Sequence, residues 1–229
     1  MMKARCWSTA NELAAAVADR LTEAALTVRS APAALMLAGG TTPLAAYARL
    51  TSHPPTVFSG LHVLFSDDRH VPAESPHSNY GQIAPMLKAW ALPDERILRV
   101  HGEQPLELAT TRYASDIGRF LDAGGVIPLG LLGLGADGHT ASLFSAEHIA
   151  RGQDGWAQSV QRPDGLNGVS VTPRLLREVQ HLIFVVSGRG KREMAHRLVH
   201  QPATLTAGQA VAGHRAVEVW MDREAWPFT

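Results

Sequence analysis

Residues 126–145, VIPLGLLGLGADGHTASLFS, decide how this chain folds. The first ten residues are apolar on both alternating faces, a pattern typical of a central parallel strand that is covered on two sides. The run then ends in glycines and presents Asp137 and His139. A core strand needs neither polar side chain. We therefore predict a buried strand whose carboxyl end carries a functional turn, followed by a helix with His139 near its N-terminus.

Working outward, the same alternation of short apolar runs and amphipathic stretches recurs along the chain. Helical spacing of apolar residues predicts helices over 9–26, 41–50, 78–90, 105–121 and 191–200. Strands are predicted over 31–40, 61–67, 96–100, 126–135, 181–188 and 216–221, with residues 168–176 read as a strand running into a helix and 146–168 as a loop or small excursion. The first strand begins near residue 33. This order predicts one α/β domain over residues 1–229, a Rossmann-like, doubly wound, mostly parallel sheet with helices on both faces.

The composition limits the classes of partner. Lys and Arg (21) balance Asp and Glu (21), so no net field attracts nucleic acid or anionic lipid, and any anionic ligand needs local charges. The single cysteine, Cys6, excludes an intrachain disulfide and suits a reducing cytosol. The start lacks an apolar signal-peptide core, and no window approaches the roughly 18 apolar residues of a membrane span. We expect a cytoplasmic protein that is a monomer or small homo-oligomer.

In a doubly wound sheet, ligands bind beyond the carboxyl ends of the strands. The first such end reads AGGTTP. Gly39 and Gly40 allow close approach of the backbone, Thr41 and Thr42 add hydroxyls, and the next helix points its free N–H groups at this place. The stretch is neither G-x-G-x-x-G nor a P-loop. It is an anion cradle or, equally well, a tight βα turn.

Two further strand ends carry cations. Arg69, in SDDRHVP, can bind phosphate or carboxylate through its fork of N–H groups, and one neighbouring acid, Asp67 or Asp68, is expected to orient the guanidinium. Lys191, in SGRGKREM, begins a helix and offers a point charge that suits phosphate. The alternative readings are a solvated charged loop and an exposed lysine.

His139 is the candidate base. A helix N-terminus favours the neutral imidazole and the nearby Asp137 favours the charged one, so the sequence leaves its protonation open. A neutral imidazole is a competent general base near neutral pH. The histidines at 62, 70, 77, 139 and 148 lack metal-ligand spacing on one helix, and no G-x-S-x-G elbow is present. Water is therefore the expected nucleophile, with no metal; the alternative is a histidine that only packs at a turn.

The order and spacing of five stretches are together more specific to one family than any single stretch is. The stretches LAGGTTPLAAYARL, FSDDRHVPAESPHSNY, LLGLGADGHTASLFS, VSVTPRLL and VSGRGKREM follow one another as in the 6-phosphogluconolactonases, which the chain resembles from about residue 10 to VEVWMDREAW. That resemblance implies hydrolysis of 6-phospho-D-glucono-1,5-lactone in the oxidative pentose phosphate pathway, without cofactor or metal. It implies His139 as general base with Asp137 beside it, Arg69 and Lys191 as anion-binding side chains, and Gly39, Gly40, Thr41 and Thr42 as the phosphate-side loop.

The chain departs from that family's pattern at several positions. The family usually has Glu at Asp68, often Ser at Thr41 and commonly Pro at Ser145. It also often carries an arginine where this chain has Gly168, so that role falls to another residue, with Arg162 and Arg174 as the candidates. Which of Arg69 and Lys191 faces the phosphate and which the carbonyl stays open.

Two other functions remain as alternatives. Glucosamine-6-phosphate deaminases share a DGH turn, but they continue it with an Asn-Glu-Pro type sequence, whereas this chain reads DGHTASLF. A non-catalytic sugar-phosphate sensor usually adds a DNA-binding segment, for which a first strand near residue 33 leaves no room.

Overall fold

The computed structural model describes residues 2–226. Its strands are β1 (Lys3–Trp7), β2 (Ala33–Leu37), β3 (Leu61–Phe65), β4 (Asp67–Arg69), β5 (Ile97–Leu98), β6 (Val126–Leu132), β7 (Ala157–Gln161), β8 (Asn167–Val171), β9 (Leu182–Val186) and β10 (Val217–Asp222). Its α-helices are α1 (Ala10–Thr27), α2 (Thr41–Ser52), α3 (Asn79–Ala89), α4 (Leu106–Asp122), α5 (Ala146–Arg151), α6 (Pro173–Glu178), α7 (Arg192–His200) and α8 (Thr206–Ala210). Short 3₁₀ turns span Asp94–Arg96, Arg189–Lys191 and Pro202–Thr204.

The main sheet is parallel throughout, in the order β1-β10-β9-β6-β2-β3-β5. The chain leaves β2 toward β3 and β5 on one side and returns through β6 on the other side. The strand order therefore reverses between β2 and β6. Ligands of open parallel sheets bind beyond the strand ends at such a reversal. The topology thus provides a crevice between the ends of β2 and β6.

Both faces of this sheet are covered because its central strands are apolar throughout. Every residue of β2 and of β9 is buried. Successive side chains of a strand point to opposite faces. Accordingly, Met36 lies in the hydrophobic cluster with residues of α4, α6, α7 and α8, and Leu35 lies in the cluster with residues of α1, α2 and α3. The predicted α/β, Rossmann-like, doubly wound fold is confirmed. Within residues 2–226, none of the helices combines the length and the apolar character that a membrane crossing demands.

A small antiparallel sheet, in the order β4-β8-β7, was not predicted. Arg69 of β4 pairs with Gly168 of β8, which pairs in turn with Val160 of β7. The sequence reading of 146–168 as a loop or excursion is wrong in detail, since α5, β7 and the start of β8 occupy it. The strand running into a helix that was predicted over 168–176 is confirmed by β8 and α6. β7 escapes detection because it is short and polar, with only Gln158 and Val160 buried.

The first strand begins at Lys3, not near residue 33. β1 lies at the edge of the sheet, where it pairs with β10 on one side. Four of its five residues are exposed, so it lacks the apolar run that predicts a buried strand. The edge position explains the missed element.

The residues after His139 form a turn and not the predicted helix. Thr140 and Leu143 form an isolated bridge, and Ala141 between them has a φ of 47°. A left-handed residue of this kind does not continue a right-handed helix. α5 begins only at Ala146. His139 therefore does not lie at the N-terminus of the predicted helix.

Candidate active site

The crevice at the β2–β6 reversal is a cleft of about 270 Å³. It is lined by Ala38, Gly39, Gly40, Ser66, Asp67, Arg69, Asn79, Gly133, Leu134, Gly135, His139, Ala141, Arg162 and Lys191. The structure thus brings the predicted imidazole, both predicted cations and the paired glycines to one place. Asp137, Thr41 and Thr42 are not part of this lining.

Asp137 does not line the cleft, but its carboxylate hydrogen-bonds the imidazole of His139. Nδ1 of His139 lies 2.5 Å from Oδ1 of Asp137, and this oxygen also accepts the backbone N–H of His139 at 3.2 Å. Burial acts to raise the pKa of Asp137, but the hydrogen bond and the charge of His139 outweigh it and hold that pKa below its usual value. An ionised carboxylate can only accept, so Nδ1 carries the proton and the neutral ring presents Nε2 as a base. Within residues 2–226, Nε2 has no hydrogen-bond partner.

The glycines after β6 make room for this pair. A Cβ on Gly135 would lie 2.1 Å from Nδ1 of His139. Gly138 has a φ of 86°, in the left-handed region that glycine tolerates, and its carbonyl accepts the N–H of Ala207 at 2.9 Å. The ring of Phe144 packs 4.3 Å from the His139 ring, centroid to centroid. The apolar strand therefore ends in glycines because the imidazole lies against the backbone there.

Arg69 is oriented by an asparagine. Its Nη1 donates to Oδ1 of Asn79 at 2.7 Å and to the carbonyl of His77 at 3.2 Å. Nδ2 of Asn79 donates to the carbonyl of Asp67 at 2.9 Å, which fixes the amide with its oxygen toward Arg69. A Cβ on Gly39 would lie 2.0 Å from this amide oxygen, so Gly39 leaves the space that Asn79 occupies.

The expectation that a neighbouring acid orients the Arg69 guanidinium is therefore wrong. Asp68 instead caps α3: its carboxylate accepts the backbone N–H groups of Asn79 at 2.6 Å and Tyr80 at 2.9 Å, and that of Arg69 at 2.8 Å. Burial raises the pKa of Asp68 to about 6, against the lowering effect of these hydrogen bonds. Asn79 was not predicted as a site residue; the one signal for it is its place at the start of the predicted helix in SPHSNY.

Lys191 lies where the sequence predicts, at the start of a helix. It ends the 3₁₀ turn and is the N-cap residue of α7. Burial lowers the pKa of Lys191, and the charge of Asp137 partly offsets that effect. The ammonium group therefore lies within electrostatic range of the Asp137–His139 pair.

The predicted cradle loop is only partly in the cleft. Gly40 lines it with a φ of 101° and is the N-cap residue of α2. Thr41 is exposed in the first turn of α2. Thr42 is half-buried, and its hydroxyl lies 2.8 Å from the hydroxyl of Ser187, just beyond β9. The glycine backbone thus borders the cleft, while the two hydroxyls lie outside its lining.

A buried polar network joins the cleft to the small sheet. Nη1 of Arg162 donates to Oγ of Ser142 at 2.7 Å, and Oγ of Ser142 donates to Oδ2 of Asp67 at 2.7 Å. The side chains of Arg162 and Asp67 are each 9% exposed. Of the two arginines left as candidates for the role absent at Gly168, Arg162 lines the cleft, whereas Arg174 lies over the ring of Trp156 at 3.9 Å.

A larger groove of about 570 Å³ runs along β5 and α4. It reaches Pro32 and His62, toward the amino ends of β2 and β3. Its arginines are paired with carboxylates, Arg99 with Glu103 at 3.0 Å and Arg112 with Asp116 at 3.9 Å. We therefore place the candidate site in the smaller cleft, where the reversal of strand order and the cations coincide.

Metal ligands do not cluster in the described part of the chain. Among residues 2–226, no group of three or more His, Cys, Asp and Glu side chains could hold a metal ion. His196 and His200 have the four-residue spacing of helical ligand pairs, and their ring centroids lie 4.5 Å apart at a tilt of 42°, but they belong to no such group. A reaction without metal or cofactor stays a prediction.

Comparison with known proteins places the chain among relatives of the same fold. The family described as glucosamine-6-phosphate isomerases/6-phosphogluconolactonase matches residues 8–220. A 6-phosphogluconolactonase of Aggregatibacter actinomycetemcomitans is 30% identical over 203 residues, which are 85% of this chain and 86% of that protein. The structure of a 6-phosphogluconolactonase from Thermotoga maritima has a TM-score of 0.82 and 23% identity, covering 97% of this chain and 99% of that one. A monomeric glucosamine-6-phosphate deaminase also has a TM-score of 0.82, at 18% identity and full coverage of both chains. The last two likenesses show the fold alone.

Proposed function

Because the chain belongs to the family of glucosamine-6-phosphate isomerases and 6-phosphogluconolactonases, we propose that it hydrolyses 6-phospho-D-glucono-1,5-lactone to 6-phospho-D-gluconate. The observation that carries this proposal is the cleft in which His139, held by Asp137, lies with Arg69 and Lys191. A lactone needs an activated water and a site for a developing negative charge, and its phosphate needs a cation. The cleft offers groups for each of these tasks.

The reaction follows from the free Nε2 of His139. Water attacks C1 of the lactone while Nε2 takes its proton, and the carbonyl oxygen becomes an oxyanion. Collapse of this intermediate breaks the bond from C1 to the ring oxygen, which takes the proton back from the imidazolium. The net change is addition of one water, and Asp137 stabilises the transient imidazolium as a carboxylate does in a catalytic triad.

The cations and the glycine loop bind the anionic groups. Arg69 and Lys191 supply positive charge for the phosphate and for the oxyanion. The backbone at Gly39 and Gly40, with the N-terminal N–H groups of α2, supports the phosphate side, where Thr41 and Thr42 follow in the first turn. Holding the phosphate fixes C1 relative to His139, and such positioning is worth much of a catalysed rate.

The relative at 30% identity supports the lactonase over the deaminase, because the deaminase likeness is one of fold. The residues after DGH also differ from the Asn-Glu-Pro type continuation of deaminases.

The test is a coupled assay at neutral pH. A glucose-6-phosphate dehydrogenase would generate the lactone in place, and its disappearance would be followed with and without the purified protein and with and without chelator. We expect accelerated loss of lactone in both conditions. Ammonia release from glucosamine 6-phosphate would favour the deaminase instead. Tight binding of 6-phosphogluconate with no hydrolysis would favour a sensor.

A further inference from the structure

Arg162 is the one arginine of the small-sheet hairpin that lines the cleft, although it lies more than 20 residues from the other cleft residues along the chain. It stands at the turn between β7 and β8, where its N–H donates to the carbonyl of Leu166 at 2.9 Å and its carbonyl accepts the N–H of Gly165 at 3.0 Å. Its side chain is 9% exposed. A guanidinium buried to this degree needs hydrogen bonds and a counter-charge, and Ser142 and Asp164 supply part of these.

The stem of Arg162 occupies the space that Gly168 leaves open. A Cβ on Gly168 would lie 3.2 Å from Cδ of Arg162. Gly168 pairs directly with Arg69 across β8 and β4, so side chains at these two positions stand on the same face of the small sheet. Arg162 therefore reaches over Gly168 on the face from which Arg69 enters the cleft.

Arg162 pairs with the exposed carboxylate of Asp164, and the charge of Arg69 also acts on that carboxylate. Asp164 accepts hydrogen bonds from Nε of Arg162 at 3.1 Å and from Nη2 at 3.0 Å. Burial acts to raise the pKa of Asp164, but the hydrogen bonds from Arg162 and Leu166 and the charges of Arg162 and Arg69 hold it below its usual value. The positive charges of Arg162 and Arg69 therefore both stabilise the negative charge of this carboxylate.

Arg162 has hydrogen-bonding capacity to spare. A guanidinium has five N–H groups. Ser142 accepts one N–H of Nη1. Asp164 accepts the N–H of Nε and one N–H of Nη2. One N–H on each terminal nitrogen thus has no acceptor at hydrogen-bond distance among residues 2–226, and Oδ2 of Asp67 lies at 3.7 Å. Two N–H groups on adjacent nitrogens fit the oxygens of a phosphate.

We propose that Arg162 binds the phosphate of the substrate directly, beside the other cations of the cleft, and so sets the preference for phosphorylated over unphosphorylated sugar lactones. The proposal rests on the proposed function. It assigns Arg162 a role in specificity in addition to its place in the network with Ser142 and Asp67.

The test compares two ligands that differ by the phosphate. We would measure kcat and KM of R162M for 6-phosphogluconolactone and for glucono-1,5-lactone, and the Kd of 6-phosphogluconate and gluconate by calorimetry. A charge-assisted hydrogen bond predicts a loss of about 10- to 100-fold for the phosphorylated ligand, mainly in KM and Kd. The unphosphorylated ligand should change by less than about 3-fold. R174M, which alters an arginine outside the cleft, is the matched control and should leave both ligands unchanged.

A second pair of variants separates binding from folding. R162Q keeps a donor for Ser142 and loses the charge, and it should lose the same preference as R162M. The double variant R162M/G168R should regain part of it, because a side chain at 168 then enters the space vacated by the Arg162 stem. Equal losses for both ligands in R162M and R162Q would show a structural role and overturn the proposal. An unchanged preference in R162Q would overturn it as well. If the wild type hydrolyses neither lactone, the proposed function fails, while the calorimetric comparison still tests Arg162.

Discussion

His139 can serve as a base only in the tautomer that Asp137 imposes. The carboxylate occupies Nδ1, and the ring of Phe144 limits the motion of the imidazole. The ring is thereby fixed in orientation and tautomer before a substrate arrives. Pre-organisation of this kind lowers the barrier because the site does not rearrange during the reaction.

Removing the imidazole should therefore abolish most of the turnover without harming the fold. For H139N we expect kcat to fall by about 10² to 10⁴, the usual contribution of a general base. KM should change little, since the anion-binding side chains remain. D137N should also lower kcat, because an amide can donate to Nδ1 and so favours the wrong tautomer. Steady-state kinetics of the coupled reaction checks both variants.

The chain contains a matched control for these substitutions. His101 and Glu103 form a second histidine–carboxylate pair two residues apart, with Nδ1 and Oε1 at 2.9 Å, outside the cleft. H101N should therefore keep wild-type turnover. An H139N variant within a factor of ten of the wild type would refute the base assignment.

At this scale the sequence predicts the groups that directly follow a main-sheet strand. His139, Arg69 and Gly39 come after apolar runs whose ends must meet, so their convergence follows from the fold class. Asn79 and Arg162 come from a helix start and a hairpin turn. Their positions depend on contacts with the small sheet, which no local pattern in the sequence encodes. Asn79 was therefore not predicted, and Arg162 was only one of two candidates beside Arg174.

At the scale of elements, the turn that follows the strand β6 contains glycines, and one of them leaves space for the imidazole of His139. Gly133 and Gly135 lie in the same turn and both line the cleft, but their surroundings differ. A Cβ on Gly135 would meet the His139 ring, whereas the nearest atom to a Cβ on Gly133 is a backbone oxygen at 4.0 Å.

G135A should thus displace the imidazole and lower kcat by about 10²-fold or more, the effect of a misplacement of roughly 1 Å. G133A should retain turnover within a few-fold of the wild type. Both variants should remain folded, as judged by circular dichroism. Equal activity of the two would contradict the packing of His139 against the backbone.

The elements found from the sequence are those that are long, buried and periodic. The helices α1 and α4 and the strands β2, β6 and β9 show the apolar spacing that burial on one or two faces requires. β1 and β7 lack it because an edge strand and a three-stranded sheet bury few of their residues. The helix expected after His139 is absent for another reason: beside the left-handed Ala141, Ser142 bonds to the distant residues Asp67 and Ser170, which a local pattern does not show.

At the scale of the whole molecule, Asp68 couples the stability of the fold to pH. Its pKa is raised from 3.8 to about 6 by burial. Between these values the unfolded chain releases the proton first, so the free energy of unfolding falls as pH rises from about 4 to 6. At one pKa unit per 1.36 kcal/mol, the contribution of Asp68 is on the order of 3 kcal/mol.

An amide at this position does not titrate, so D68N should lack this contribution at every pH. We expect the difference in free energy of unfolding, D68N minus wild type, to increase by up to about 3 kcal/mol between pH 4 and pH 7. Urea denaturation at the two pH values measures this difference. D94N, at an exposed aspartate of a 3₁₀ turn, is the control for the procedure. A D68N difference that is the same at both pH values would show that Asp68 is ionised throughout the range.

The walls of the cleft come from stretches that are far apart in the chain, near residues 39, 69, 139, 162 and 191. No two of these stretches are joined by a short loop, and the hairpin that delivers Arg162 is joined to β4 through the pairing of β8 with β4. During refolding, helices and local turns form early, while such distant pairings form late. Recovered turnover is consequently a stricter measure of the native state than recovered helicity, because a chain with every helix in place but this hairpin undocked has an incomplete wall where the phosphate should bind.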